Sequence, residues 1–105
     1  MTVEYIRYKV TEEQRQAFID AYNDASKELM ASEYCKAYEL TECEEEAGQF
    51  MLRIEWTSTE AHMNGFRKSD LFPSFLSKVK PYFKDIQEMR HYKLTTVTQR
   101  KAKNS

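Results

Sequence analysis

The chain has 105 residues, with 16 Lys and Arg against 17 Asp and Glu, a net charge of −1. That balance gives no chain-wide attraction to nucleic acid or to an anionic membrane surface, so neither is expected as a partner. Hydrophobic residues at 41% and aromatic residues at 13% are too many for a disordered chain, and no uninterrupted apolar run approaches a membrane span. The length suits one domain with one modest core. The opening MTVEYIRYK carries charges inside its first apolar stretch and does not look like a secretory signal. Cys35 and Cys43 fall in one expected strand, about 26 Å apart at about 3.3 Å per residue, beyond disulfide reach. Two unpaired thiols suit a reducing compartment, so a cytoplasmic location is expected.

The alternation in residues 3–10 predicts a strand, with Ile6, Tyr8 and Val10 pointing one way and Tyr5, Arg7 and Lys9 the other. Thr11 with Gln14 three residues on forms a capping box. The helix behind it carries Phe18, Tyr22, Ala25 and Leu29 as one apolar stripe, flanked by Ile19 and Met30. A second strand over 35–43 places Cys35, Ala37, Glu39 and Thr41 on one face and Lys36, Tyr38, Leu40 and Glu42 on the other. Glu44, Glu45, Glu46, Ala47 and Gly48 make a hairpin, with Gly48 free to take a positive φ.

The stretch 49–72, QFMLRIEWTSTEAHMNGFRKSDLF, organises the rest. Its strand turns Phe50, Leu52, Ile54 and Trp56 toward the helices and Met51, Arg53 and Glu55 away. Thr57 with Glu60 reads as a second capping box, opening a helix to about residue 68. Ser69 restarts a helical segment through Phe72, Phe75, Leu76 and Val79, with Pro73 early in it, and Lys80 and Pro81 end or kink it. A fourth strand over 86–94 alternates Ile86, Glu88, Arg90, Tyr92 and Leu94 against Gln87, Met89, His91 and Lys93. The tail 95–105 loses this periodicity, and disorder is expected from about Gln99.

The order β-α-β-β-α-β defines an α+β, ferredoxin-like domain over residues 1–94, with a four-stranded antiparallel sheet and helices on one face. The other face must meet water or another chain. Its tyrosines, Met51 and residues of opposite charge suit a sheet-on-sheet contact, so a homodimer through that face is expected.

The segment IEWTSTEAHMNGFRKSDLF, the aromatic helix after it and the closing IQEMRHYKL together resemble the antibiotic biosynthesis monooxygenase domain family. Trp56 at the strand end, Glu60 in the first helical turn, and Ser69 with Phe72 carry the likeness, which covers residues 2 to 94. The resemblance implies a dimeric α+β barrel and two kinds of chemistry. Some members oxidise aromatic polyketides or quinols with O₂ and without metal or flavin. Others bind and degrade heme, using an Asn on the first strand, a Trp in the middle helix and a His in the next. Here Tyr5 and Arg7, Phe66 and Leu76 stand at those places, so the heme triad is missing.

Cofactor-free oxidation implies neither cofactor nor metal, an apolar pocket for an electron-rich aromatic ring, and a few polar groups to deprotonate it. Trp56, Phe66, Phe72, Phe75 and Tyr22 would wall such a pocket. His62 and Asn64 would serve as donors or base, and Arg90 or His91 would balance the anion. Each has a plainer reading: the aromatics as core, His62 and Asn64 as structural or exposed, and His91 as a sheet-face histidine with no ligand partner at suitable spacing. The alternative to an oxidoreductase is a non-catalytic dimeric module that binds a small molecule or serves as a stress accessory. It predicts a cleft filled by side chains.

Overall fold

The computed structural model describes residues 1–101. Strand β1 (Thr2–Lys9) leads through a 3₁₀ turn (Glu12–Gln14) into helix α1 (Arg15–Ala31). The hairpin β2 (Cys35–Glu42) and β3 (Gln49–Trp56) follows, then two irregular helical turns, Ala61–Gly65 and Phe66–Lys68. Helix α2 (Phe72–Val79), a 3₁₀ turn (Lys80–Asp85) and β4 (Ile86–Lys93) complete the domain. The strands form one antiparallel sheet in the order β2-β3-β1-β4, with the ferredoxin-like α+β arrangement expected. No helix among the described residues is long and apolar enough to cross a membrane.

Register decides which side chains share a face, because directly opposed residues point the same way. Glu4 lies opposite Ile54 and His91, and Ile6 opposite Leu52 and Met89. These even-numbered β1 residues face the helices with Tyr8 and the β3 row Phe50, Leu52, Ile54 and Trp56, whose members are each 2% exposed or less. Tyr5 lies opposite Arg53 and Arg90, so all three belong to the outward face.

Two bulges break simple alternation. Cys35 pairs with Trp56 while Ala37 pairs with the adjacent Glu55, so Lys36 is the extra residue. Cys35 therefore leaves the face of Ala37 and packs against the core. Ile86 pairs with Tyr8 while Glu88 pairs with Arg7, which makes Gln87 extra. Ile86 thus joins the core although Glu88, Arg90 and Tyr92 point outward.

The core centres on Phe18, fully buried, whose ring lies 4.8 Å from Tyr8, 4.9 Å from Phe50, and 5.2 Å from both Tyr22 and Tyr82. Most contacts are edge-on or tilted, the arrangement aromatic quadrupoles favour. The Tyr8 and Tyr22 hydroxyls hydrogen-bond each other in this interior. Burial pushes the Tyr8 phenol up to about 12 and that of Tyr22 in the same direction.

The helix starts depart from the expected capping boxes. The Thr11 side chain makes no cap hydrogen bond, and the Gln14 N–H bonds to the Thr11 carbonyl in the 3₁₀ turn. After β3 it is Ser58, not Thr57, whose Oγ accepts the Ala61 N–H at 2.9 Å. Gly48 does adopt φ +88°, and its N–H donates to Glu42 Oε2 at 3.0 Å. Past β4, the Leu94 N–H donates to the Met1 carbonyl, and Arg100 reaches to 3.8 Å from Glu55 on the outward face. The disorder expected from about Gln99 falls partly on residues 102–105, which lie outside the described residues.

Candidate functional site

Between the sheet and the helical layer lies a cavity of about 330 Å³. Its floor comes from β1, β3 and β4 through Glu4, Ile6, Ile54, Trp56, Ile86 and Met89. Tyr22 of α1 and Phe72, Phe75, Leu76 and Val79 of α2 form its walls, and the turns before α2 add His62, Phe66 and Arg67. The irregular turns at 61–68 carry the His62 and Phe66 rings to the cavity. Phe66 is 1% exposed, edge-on to Phe75 at 5.3 Å and to Phe72 at 5.8 Å. Gly65 permits that path, since a Cβ there would stand 2.8 Å from the Tyr34 ring.

One wall is polar. The Trp56 Nε1–H donates to Glu4 Oε1 at 3.1 Å. His62 stacks on Trp56, with ring centres 4.4 Å apart and planes 9° from parallel. Its Nε2 is 3.6 Å from Glu4 Oε1, too long for a hydrogen bond, and its Nδ1 is 2.7 Å from Nε2 of His91. Glu4 is 1% exposed, and its Oε2 has no hydrogen-bond partner among the described residues.

The cost of burying charge governs these groups. Burial pushes the Glu4 carboxyl up to about 6, although the Trp56 hydrogen bond and the charge of Arg67 work against it. Burial also pushes His62 down to about 3, with Arg67 and His91 adding to the effect. His91 is lowered by burial and then by Arg67. Burial thus favours the uncharged form of both imidazoles and makes the Glu4 carboxyl a stronger base than a free glutamate.

The structure brings together most of the residues singled out from sequence. Trp56, Phe66, Phe72, Phe75, Tyr22 and His62 all line the cavity, and His91 stands directly behind His62. Two residues fall elsewhere. Asn64 is exposed, two positions beyond His62 on a helical turn and so rotated away from the cavity. Arg90 is on the outward face opposite Tyr5, 3.9 Å from Glu88, with the whole sheet between it and the cavity. Glu4 and Arg67 are the polar groups the sequence reading passed over. Glu4 shares the parity of Ile6 and Tyr8, and a lone carboxylate in an apolar row was the available signal. His91, expected to have no ligand partner at suitable spacing, has two neighbours of that kind, His62 and Glu4, which arrive from other elements.

Fold and site together define a class: a small α+β domain whose helical layer stands off its sheet far enough to enclose a ligand-sized aromatic cavity. Within that class the chain belongs to the antibiotic biosynthesis monooxygenase family, whose sequence profile matches residues 1–89. It is 25% identical over 77 residues to the uncharacterized protein YczJ of Bacillus subtilis (strain 168), covering 73% of this chain and 81% of that one. Among solved structures it resembles a proposed antibiotic biosynthesis monooxygenase from Bordetella bronchiseptica (TM-score 0.77, 20% identity, 90% of this chain and 96% of that one). A conserved protein from Methanosarcina mazei Go1 is similar too (TM-score 0.72, 16% identity, 90% and 92% covered). At these identities the structural likeness speaks for the fold.

Proposed function

We propose that this protein oxidises a small aromatic or quinol-like substrate with O₂ inside the cavity between sheet and helices. The cavity itself is the observation that carries the reading. Side chains do not fill it; about 330 Å³ remains open, at the low end of ligand sites of about 300–1,000 Å³. Its aromatic walls suit a compact fused ring. Its single polar wall suits a ring hydroxyl: Glu4 Oε2 is unpaired there to take the proton, and Arg67, not Arg90, supplies the balancing cation. The deprotonated ring is the electron-rich species that passes an electron to O₂. Family membership supports an oxidoreductase of this general kind.

The test is O₂ uptake by the purified protein with a panel of anthrols, quinols and flavonols. Uptake above the buffer rate that falls when Phe66 or Trp56 is replaced supports the proposal. No uptake across the panel overturns it. Trp56 is the chain's only tryptophan and lines the cavity, so ligand binding is readable as a change in its fluorescence. Saturable quenching without O₂ uptake would favour a binding module instead.

The outward sheet face is the proposed contact of a homodimer. Tyr5, Arg7, Met51, Glu88 and Tyr92 ring a concavity on that face, with Arg53 and Arg90 beside them. Glu88 stands 3.9 Å from both Arg7 and Arg90 there, and a two-fold axis would set this mixed patch against its own copy. Sedimentation at micromolar concentration is expected to give the mass of a dimer; a monomer mass sinks this part.

A further inference from the structure

We propose that Glu4, His62 and His91 form a binding site for a divalent transition-metal cation such as Zn²⁺, Fe²⁺ or Co²⁺. Nothing in the sequence pattern places these residues together, since 58 and 29 positions separate them along the chain. The fold delivers them from β1, the turn after β3, and β4. One potential ligand atom from each lies within 4.8 Å of the other two.

Three observations point to a cation. First, the donors are two imidazole nitrogens and one carboxylate oxygen, a set that suits Zn, Fe, Co and Ni and that leaves coordination positions open. Second, Glu4 is buried with Oε2 unpaired while Oε1 accepts the Trp56 N–H. The indole thus holds Oε1, the oxygen 3.6 Å from His62 Nε2, and leaves Oε2 free to coordinate, as a partner that fixes a ligating carboxylate does at metal sites. Third, the His62 and His91 nitrogens face each other at 2.7 Å, a contact that needs a proton between two lone pairs. A cation takes the place of that proton, and with bonds of about 2.0–2.2 Å it requires a shift of about an ångström among the three side chains. His91 sits at the half-buried edge of the cluster and has room to move. The stacked His62 is held by Trp56. The charge of Arg67 opposes a divalent ion, and an anion bound in the adjoining cavity would offset it.

This site shares Glu4 with the pocket of the proposed oxidation, so a bound cation and the substrate proton compete for one carboxylate, but metal occupancy is measurable without turnover. The full chain is treated with chelator and titrated with Zn²⁺ by calorimetry and with Co²⁺ by visible absorption. One equivalent is expected to bind, with Co²⁺ bands of four- or five-coordination. His91→Ala and Glu4→Gln are each expected to weaken binding by at least about tenfold. Cys35→Ser and Cys43→Ser are expected to leave it unchanged. Absent saturable uptake, or uptake unaltered in His91→Ala, overturns the site. Because His91 is at the cluster's edge, its replacement does not empty the core; thermal melts of the variants identify any that fail to fold. Oxygen uptake is then compared with and without metal. Binding without turnover leaves this site standing and defeats the oxidation reading, and turnover in chelated protein without binding does the reverse.

Discussion

Individual side chains in this protein differ most in what burial has done to them. The Tyr8 and Tyr22 hydroxyls bond to each other in the interior. Replacing Tyr22 by Phe removes one oxygen and strands the other, so Tyr22→Phe is expected to cost about 1–2 kcal/mol in chemical denaturation. Phenols held neutral beyond their usual range favour the folded state below pH 10 and lose that contribution as pH climbs toward about 12. Stability is therefore expected to fall on the alkaline side, and less so in Tyr22→Phe. The two thiols differ as well. Cys43 is exposed, whereas burial pushes Cys35 up to about 11 despite its contact with the Ala37 carbonyl. Since the thiolate is the nucleophile, iodoacetamide at pH 8 is expected to label Cys43 at least about tenfold faster. Comparable rates would show that Cys35 is not held in the core.

At the scale of elements, the two helices are fastened to each other most closely through Glu28, with Asp24 of α1 a further 3.5 Å contact of Lys78. Glu28 of α1 accepts from Ser74 Oγ at 2.9 Å and from Lys78 Nζ at 2.8 Å, both on α2. Burial alone would raise its pKa, but these hydrogen bonds outweigh that and lower it. A lowered carboxylate stabilises the fold above its ordinary titration range and stops doing so as pH falls through its folded value. Glu28→Ala is expected to cost about 1–3 kcal/mol near neutrality and to flatten the acid side of the stability profile. The sequence showed the elements well because each hydrophobic row had one clear period: Phe18, Tyr22, Ala25 and Leu29 for α1, and Phe50 to Trp56 for β3. It could not show where the period skips. Lys36 and Gln87 are unremarkable residues, yet the bulges at them reassign Cys35 and Ile86 to the core. Nor could it show the site as a whole. Its aromatic half came from local stripes, but Glu4, Arg67 and the meeting of His62 with His91 depend on register across four separate elements. Asn64 failed for a related reason: the turn at 61–65 winds more widely than an α-helix, and of its residues His62 is the one that lines the cavity.

Taken whole, the molecule keeps one layer of helices over a sheet and leaves a hollow where that layer thins. Leu76 stands at the wall of that hollow. A bulkier side chain there is expected to close it, so Leu76→Trp should abolish ligand-induced quenching or O₂ uptake while leaving circular dichroism and the melting transition close to those of the parent. Retained binding in a folded Leu76→Trp protein would place the ligand elsewhere. The extra residue at Gln87 also bears on how lineages of this fold can change length. In most of a strand, loss of one codon turns every later side chain over, exchanging interior for exterior. Deleting Gln87 instead turns a two-against-one pairing into one-against-one, so Ile86 stays inward and His91 still faces Glu4. This single position is where the strand can be edited in length without being rewritten.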